Sequence, residues 1–252
     1  MLSDQQFVRY QRQVALPQIG EAGQQALLNS KVLMIGCGGL GSAAAQFLAA
    51  AGVAKLVIAD DDQVEISNLH RQLAYRVQDI GQPKVRALAR SLHTLNPDCQ
   101  VRTVERRMDA TLLKLEVSLA DVVLDCSDNL PTRHLVNQAC YQAGVCLISA
   151  SAIGWEGQLI TLDFSRRSQG CYQCVVPDLP SSTAVRCSDM GVAGPVVGTM
   201  GNLQALLAMQ KLIQLDGFDS HYMQRFDALS MQWQKWQLIA DPHCKQCGQS
   251  TE

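Results

Sequence analysis

The sequence predicts an α/β protein built on a doubly wound sheet, mostly parallel, with antiparallel strands in its C-terminal half. Three observations carry this. Lys31 to Asp62 reads strand, glycine turn, helix, strand, which is one βαβ unit. Ala120 to Cys126, ADVVLDC, is the near-continuous apolar run of a strand buried on both faces in a parallel sheet. Tyr222 to Ser230 and Gln232 to Ala240 read as two strands joined by a turn.

Taken in order, the first thirty residues are polar and helix-prone. Ser3 and Asp4 can cap a short helix carrying RYQRQ, on which Arg9 and Arg12 share one face. Spacing alone makes that a solvated basic face. Val32 to Ile35 is the first strand. Gly36, Gly38, Gly39 and Gly41 follow, then a small-residue helix from Ser42 to Ala51 stopped by Gly52. Such glycines let the backbone approach a phosphate, and the helix N-terminus behind them offers free N–H groups. The second strand, Leu56 to Ala59, ends in Asp60, Asp61 and Asp62. Asp60 stands where a carboxylate can hold ribose hydroxyls. With strand, helix and acid all in place, the Rossmann-like reading outweighs a turn that only packs a helix.

Beyond Asp62, Val64 and Ile66 alternate weakly and Ser67-Asn68 marks a turn. Pro83 then opens a helix running to about Leu95. Arg71 and Lys84 are surface charges in themselves, and triphosphate ligands if the glycine turn holds phosphates. Gln100 to Val104 is a further strand. Ser127-Asp128-Asn129 follows ADVVLDC at the sheet edge where open α/β sheets bind ligands. There Asp128 either caps the helix Thr132 to Tyr141 or holds Mg²⁺ on a nucleotide. Val145 to Ala150 and Gly157 to Leu162 are two more strands, and Val197 to Leu215 is a long helix. In the last strand Trp233 and Trp236 do not alternate strictly, which leaves its register open.

Composition bounds the function. The 252 residues suffice for one large domain, 47% are apolar and only 5% aromatic, so the core is aliphatic. A net charge of −2 gives no footing for nucleic acid. No apolar run reaches membrane length and no signal peptide opens the chain, so a cytoplasmic protein is expected. The ten cysteines then need an explanation without disulfides. Cys171 and Cys174 form one C-x-x-C pair, Cys244 and Cys247 another, together the ligand set of a structural Zn²⁺ site. A redox reading is weaker, because neither pair is expected at a helix start. Residues 37, 99, 126, 140 and 146 fall in or near apolar elements, where thiols are buried and inert. Cys187 lies beside Arg186 in a Pro/Ser-rich stretch, equally a lowered-pKa nucleophile or a chance surface thiol.

The motifs RYQRQ, GCGGLGS, ADDDQVEISNLHRQ, GQPKV, DVVLDCSDN, SAIGWEGQL, CYQC, RCSDMGVAGPVVG and CKQC, in this order and spacing, resemble the ThiF/MoeB/HesA family, prokaryotic relatives of ubiquitin-activating enzymes. The resemblance covers nearly the whole chain. It implies a ThiF/MoeB-type activating-enzyme fold over 1–252: an N-terminal arm over 1–30, a nucleotide-binding half over 31–165, and a crossover loop, zinc knuckles and C-terminal strands over 166–252. It implies ATP with Mg²⁺, adenylation of the C-terminal glycine of a ubiquitin-like sulfur carrier and a homodimer; with no fused rhodanese-like domain after Cys247, a separate persulfide donor is expected. Carried over by residue, the turn around Gly39 would take phosphates and Asp60 the ribose. Asp62 and Asn129 would border the nucleotide. Asn68, Arg71 and Lys84 would meet the triphosphate, with Arg12 entering from the other subunit. Asp128 would hold Mg²⁺, and Cys187 would lie over the carrier's tail. CYQCVVPD and AIGWEGQ look like the ThiF branch, with a ThiS-like carrier and a role in thiamine thiazole formation. The MoeB branch usually carries a basic residue where Trp155 stands. An NAD-dependent oxidoreductase shares the βαβ unit but leaves Arg12, Arg71, Lys84 and Asp128 without a purpose.

Overall fold

The computed structural model describes residues 1–165, 170–177 and 191–248. In chain order the elements are α1 (Asp4–Val14), α2 (Gly20–Leu27), β1 (Lys31–Ile35), α3 (Gly39–Ala51), β2 (Lys55–Ala59), α4 (Lys84–Leu95), β3 (Gln100–Val104), α5 (Ala110–Ser118), β4 (Val122–Asp125), α6 (Leu130–Ala143), β5 (Cys146–Ile153), β6 (Glu156–Leu162), α7 (Tyr172–Val175), α8 (Gly194–Leu212), β7 (Tyr222–Asp227) and β8 (Gln232–Gln237). One sheet of eight strands runs β3-β2-β1-β4-β5-β6-β7-β8. The first five strands in that order are parallel, and β6, β7 and β8 add on antiparallel. The expected α/β sheet is the one observed, with its topological switch between β1 and β4, where β2 and β4 leave β1 in opposite directions.

Strand alternation distributes the core. Val32, Met34, Leu56, Ile58, Val122 and Leu124 share a cluster with residues of α3, α4 and α8 on one face. Leu33, Ile35, Val57, Val123 and Leu147 pack with residues of α5 and α6, and with Cys171 and Tyr172, on the other. The sheet is therefore wound on both faces. Helix α8 contacts α3, β4, β5 and β6, binding the parallel and antiparallel parts together. Gly201 permits this closeness, since a Cβ there would lie 2.3 Å from the Leu40 carbonyl oxygen.

Local chemistry sets several boundaries apart from the sequence reading. At α1 the cap is Ser3, whose Oγ accepts from the Gln6 N–H, while the Gln6 side chain accepts from the Ser3 N–H; Asp4 already sits in the first turn. Helix α3 starts at Gly39, three residues before the expected Ser42, so Gly39 and Gly41 belong to the helix rather than to the turn. The cap of α6 is Asn129, whose Oδ1 accepts from the Thr132 N–H at 3.0 Å; Asp128 is not the cap. Val64 and Ile66 form no strand: Val64 is buried, and Ile66 opens a one-turn helix with its side chain exposed. Helix α8 begins at Gly194 and stops at Leu212, and the last two strands are shorter than expected. In β8, Trp233 opposes Phe226 and stacks on it with ring centroids 4.6 Å apart. Trp236, an odd number of residues on, points to the opposite face. Helices α2 and α5 carry no strong sequence signal. Among the described residues no helix is long and apolar enough to cross a membrane.

Candidate active site

A cavity of about 790 Å³ opens beyond the C-terminal ends of β1, β2 and β4. Its floor is the glycine turn. Gly36 has φ +97°, a left-handed backbone that favours glycine, and a Cβ there would meet the Cys126 carbonyl oxygen at 2.6 Å. A Cβ on Gly39 would meet Val197 of α8 at 2.5 Å, and one on Gly41 would sit 1.9 Å from the Gly36 carbonyl oxygen. Gly36, Gly38 and Gly39 line the cavity; Gly41 closes the turn from behind. No side chain caps α3, so its first N–H groups remain available to an anion.

Asp60 holds this turn in shape. Its Oδ2 accepts the Cys37 N–H at 2.6 Å and its Oδ1 the Asp62 N–H at 2.8 Å. Burial raises its pKa, against the lowering effects of Lys84 and of these two N–H donors. The loop after β2 brings Asn68 and Arg71 to the wall. The Arg71 guanidinium donates to the Ser67 carbonyl at 3.1 Å and lies 2.7 Å from the His70 ring nitrogen. Lys84 is no surface charge: it opens α4 with its side chain 8% exposed and its Nζ 2.8 Å from Asp62 Oδ2. From β4 come Ser127, Asp128 and Asn129. Asp128 is exposed on the cavity wall, its Oδ1 accepting from the Asn129 amide at 3.3 Å, which leaves the carboxylate room for a cation.

Four residues that the sequence reading passed over support or line this wall. Asp125, 1% exposed, accepts from the Ser127 hydroxyl at 2.6 Å and the Ser149 hydroxyl at 2.7 Å. The buried Arg133 lies 3.8 Å from the Asp125 carboxylate and donates to the carbonyls of Ser127 and of Ala150, the latter at 2.8 Å. This cluster fixes the loop bearing Asp128. Arg106 and Arg107, at the tip of β3, border the cavity, and Arg107 lies 3.7 Å from Asp61. An R-R-M-D run after an edge strand carries no motif, and a buried Asp–Arg pair shows only in three dimensions.

Arg12 stands exposed in the last turn of α1 and is not part of the cavity wall. Cys187, with Arg186, lies outside the described residues. Of the remaining thiols, Cys37, Cys99, Cys126, Cys140 and Cys146 are all buried. Burial pushes Cys99 up to about 11 and Cys146 to about 12, and raises the other three as well. None of these five is a thiolate at neutral pH.

The two C-x-x-C pairs meet on the α5/α6 face of the sheet. Cys171 Sγ lies 3.7 Å from Cys244 Sγ and Cys174 Sγ 3.3 Å from Cys247 Sγ, and all four sulfurs fall within 4.8 Å of one another. Tetrahedral ligands at a Zn–S distance of about 2.3 Å stand about 3.8 Å apart, so the four sulfurs fit such an ion. Contrary to the sequence expectation, Cys171 sits at a helix start, as the N-cap of α7. Convergence of the second pair, rather than the lack of a helix, is what argues against a redox motif.

The sequence pattern of the ThiF family matches residues 10–248. The chain is 45% identical over 99% of its length to the sulfur carrier protein ThiS adenylyltransferase of Escherichia coli (strain K12), covering 98% of that protein. It is 38% identical over 98% of its length to the molybdopterin-synthase adenylyltransferase of Salmonella typhimurium, covering 99% of it. Among solved structures, E. coli MccB superposes with a TM-score of 0.82 at 24% identity, over 97% of this chain and 73% of that one, a likeness of fold.

Proposed function

This chain belongs to the ThiF family, and we propose that it adenylates the C-terminal glycine carboxylate of a ubiquitin-like sulfur carrier of the ThiS kind, using ATP and releasing pyrophosphate. The observation that carries the reading is one cavity wall that gathers the glycine turn, Asp60, Asn68, Arg71, Lys84 and Asp128. In the reaction, a carboxylate oxygen of the carrier attacks the α-phosphorus. An acyl O–P bond forms, and the bond to the bridging oxygen breaks with its electron pair leaving on pyrophosphate. The attacking carboxylate is ionised at neutral pH, so no general base is required. The site must instead align the reactants and neutralise charge. The free N–H groups of α3 face the phosphates, Asp60 the ribose, and Arg71 and Lys84 the triphosphate. Asp128 would hold Mg²⁺, which would supply charge neutralisation for the departing pyrophosphate. The four-cysteine cluster would hold Zn²⁺ with no ligand position left open, a structural role in tying α7 to the C-terminal segment.

The test is ATP–pyrophosphate exchange with a purified ThiS-like carrier and, separately, its molybdopterin counterpart. Exchange with the first is expected. Exchange with the second alone moves the chain to the MoeB branch, and exchange with neither refutes the reading. Cys187 would act only afterwards, when the acyl-adenylate meets sulfur from a separate persulfide donor. Cys187→Ala should therefore keep normal exchange while mass spectrometry of the carrier shows less thiocarboxylate. Normal thiocarboxylate with a protein donor would make that thiol a bystander.

Arg12, exposed and away from its own cavity wall, would serve the nucleotide of a second copy in a homodimer. Mixing Arg12→Ala with Lys84→Ala chains should then restore one intact site per mixed dimer, and about a quarter of wild-type exchange when subunits redistribute at random. A mixture as inactive as its parents, after proven subunit exchange, rules this out.

A further inference from the structure

Asp62 reaches Lys84 by main-chain design. Residues 62–64 are zipped to 81–84 by three bonds: the Lys84 N–H donates to the Asp62 carbonyl, the Val64 N–H to the Gln82 carbonyl and the Gly81 N–H to the Val64 carbonyl, each at 2.9 Å. Gln63 and Pro83 form the β-bridge within this short ladder. The carboxylate so delivered is 65% exposed, yet its Oδ2 takes the Lys84 ammonium, which is 8% exposed, at 2.8 Å. Two consequences follow from the charges. A bare carboxylate beside a phosphate chain is repelled by it, and one oxygen of this carboxylate is already engaged. The ammonium has three donors and spends one on Asp62, leaving two for a ligand. Asp60 acts on the same ammonium electrostatically, while each of its oxygens accepts one backbone N–H.

We infer that Asp62 is not a nucleotide ligand but a positioning residue: it fixes where the Lys84 ammonium stands in the cavity, an inference that rests on the nucleotide reading of that cavity. The competing role is set by the carboxylates of Asp60, Asp61 and Asp62, which lie close enough together to share a cation. In that role Asp62 would bind Mg²⁺ and act independently of Lys84.

A double-mutant cycle separates the two. Asp62→Ala, Lys84→Ala and the double variant are compared by calorimetric affinity for ATP, which stays measurable where turnover does not, and by the Mg²⁺ dependence of exchange. Asp62→Asn, which keeps the size and an oxygen acceptor, repeats the cycle should the alanine variant fold poorly. Asp62→Ala is expected to weaken ATP binding about tenfold in the wild-type background and less than about twofold in the Lys84→Ala background. The Mg²⁺ requirement should stay where it was, and Asp62→Glu should recover part of the loss. Losses that multiply in the double variant, or a raised Mg²⁺ requirement in Asp62→Asn, overturn the assignment. A folded wild type that binds no ATP fails at an earlier step and refutes the nucleotide reading itself.

Discussion

Lys84→Ala is expected to lower carrier-dependent ATP–pyrophosphate exchange by about 10²–10³-fold, the loss typical of one preorganised charge contact in a dry site. Stability should barely move. The partner left behind, Asp62, has a side chain 65% exposed, so water replaces the lost ammonium and the cost stays under about 1 kcal/mol. Arg71→Ala should lower exchange to a similar extent, and so should Asp128→Ala, with part of the latter recovered by added Mg²⁺. Arg133→Ala makes the contrast. It leaves Asp125, 1% exposed, without the guanidinium 3.8 Å away, and should destabilise the fold by about 3–5 kcal/mol. Paired measurements of exchange and denaturant midpoint decide the matter. Wild-type exchange in Lys84→Ala, Arg71→Ala and Asp128→Ala would remove the proposed roles. A large fall in midpoint for Lys84→Ala would make it a structural residue.

The second large effect is expected at the cysteine cluster. Purified wild type should carry one zinc per chain, and Cys174→Ser and Cys247→Ser should each lose it. A three-thiolate remnant holds the ion weakly, and metal affinity in such sites is folding free energy. The cluster fastens the segment after β8 to α7, and α7 is fastened to α6 by the Tyr172 N–H donating to Asn137 at 3.0 Å and by the edge contact of the Tyr172 and His134 rings. Losing one sulfur loosens the α5/α6 side of the molecule. A fall in melting temperature of about 5–10 °C is expected, what about 2–3 kcal/mol gives in a chain of this size. Elemental analysis and a thermal scan with and without chelator are the measurements. A metal-free wild type of unchanged stability would refute the zinc assignment.

What the sequence made legible was whatever is written in periodicity and punctuation. Gln100–Val104 is legible to the residue, a short run standing clear of the helix that ends near Leu95. The glycine turn, Asp60 and both cysteine pairs were legible because their chemistry demands those residue types at short spacing. Four things were not. The start of α3 is not legible, since glycine is a poor helix former, and the close approach of Val197 and of the Gly36 carbonyl, which requires glycine at Gly39 and Gly41, shows only in three dimensions. Asp128 and Asn129 both make good caps, and only the fold decides that Asn129 takes the post. Nor can spacing reveal that Lys84, a lone cation after a proline, is buried, or that Arg133 and Asp125 meet beneath the loop they hold.

The bonding of Asp60 bears on how such a site can change over time. The carboxylate proposed to meet a ribose is also the clasp that holds the Cys37 and Asp62 N–H groups, and so joins the glycine turn to the segment leading to Lys84. A chain that replaced Asp60 to favour a different nucleotide would in the same step slacken the phosphate cradle and release the lysine's anchor. Substrate preference and active-site shape are therefore inherited together. Under the proposed roles, single-residue drift at Asp60 meets a penalty three times over, and diversification is left to exposed side chains away from the cavity, such as Trp155 at the β5–β6 turn.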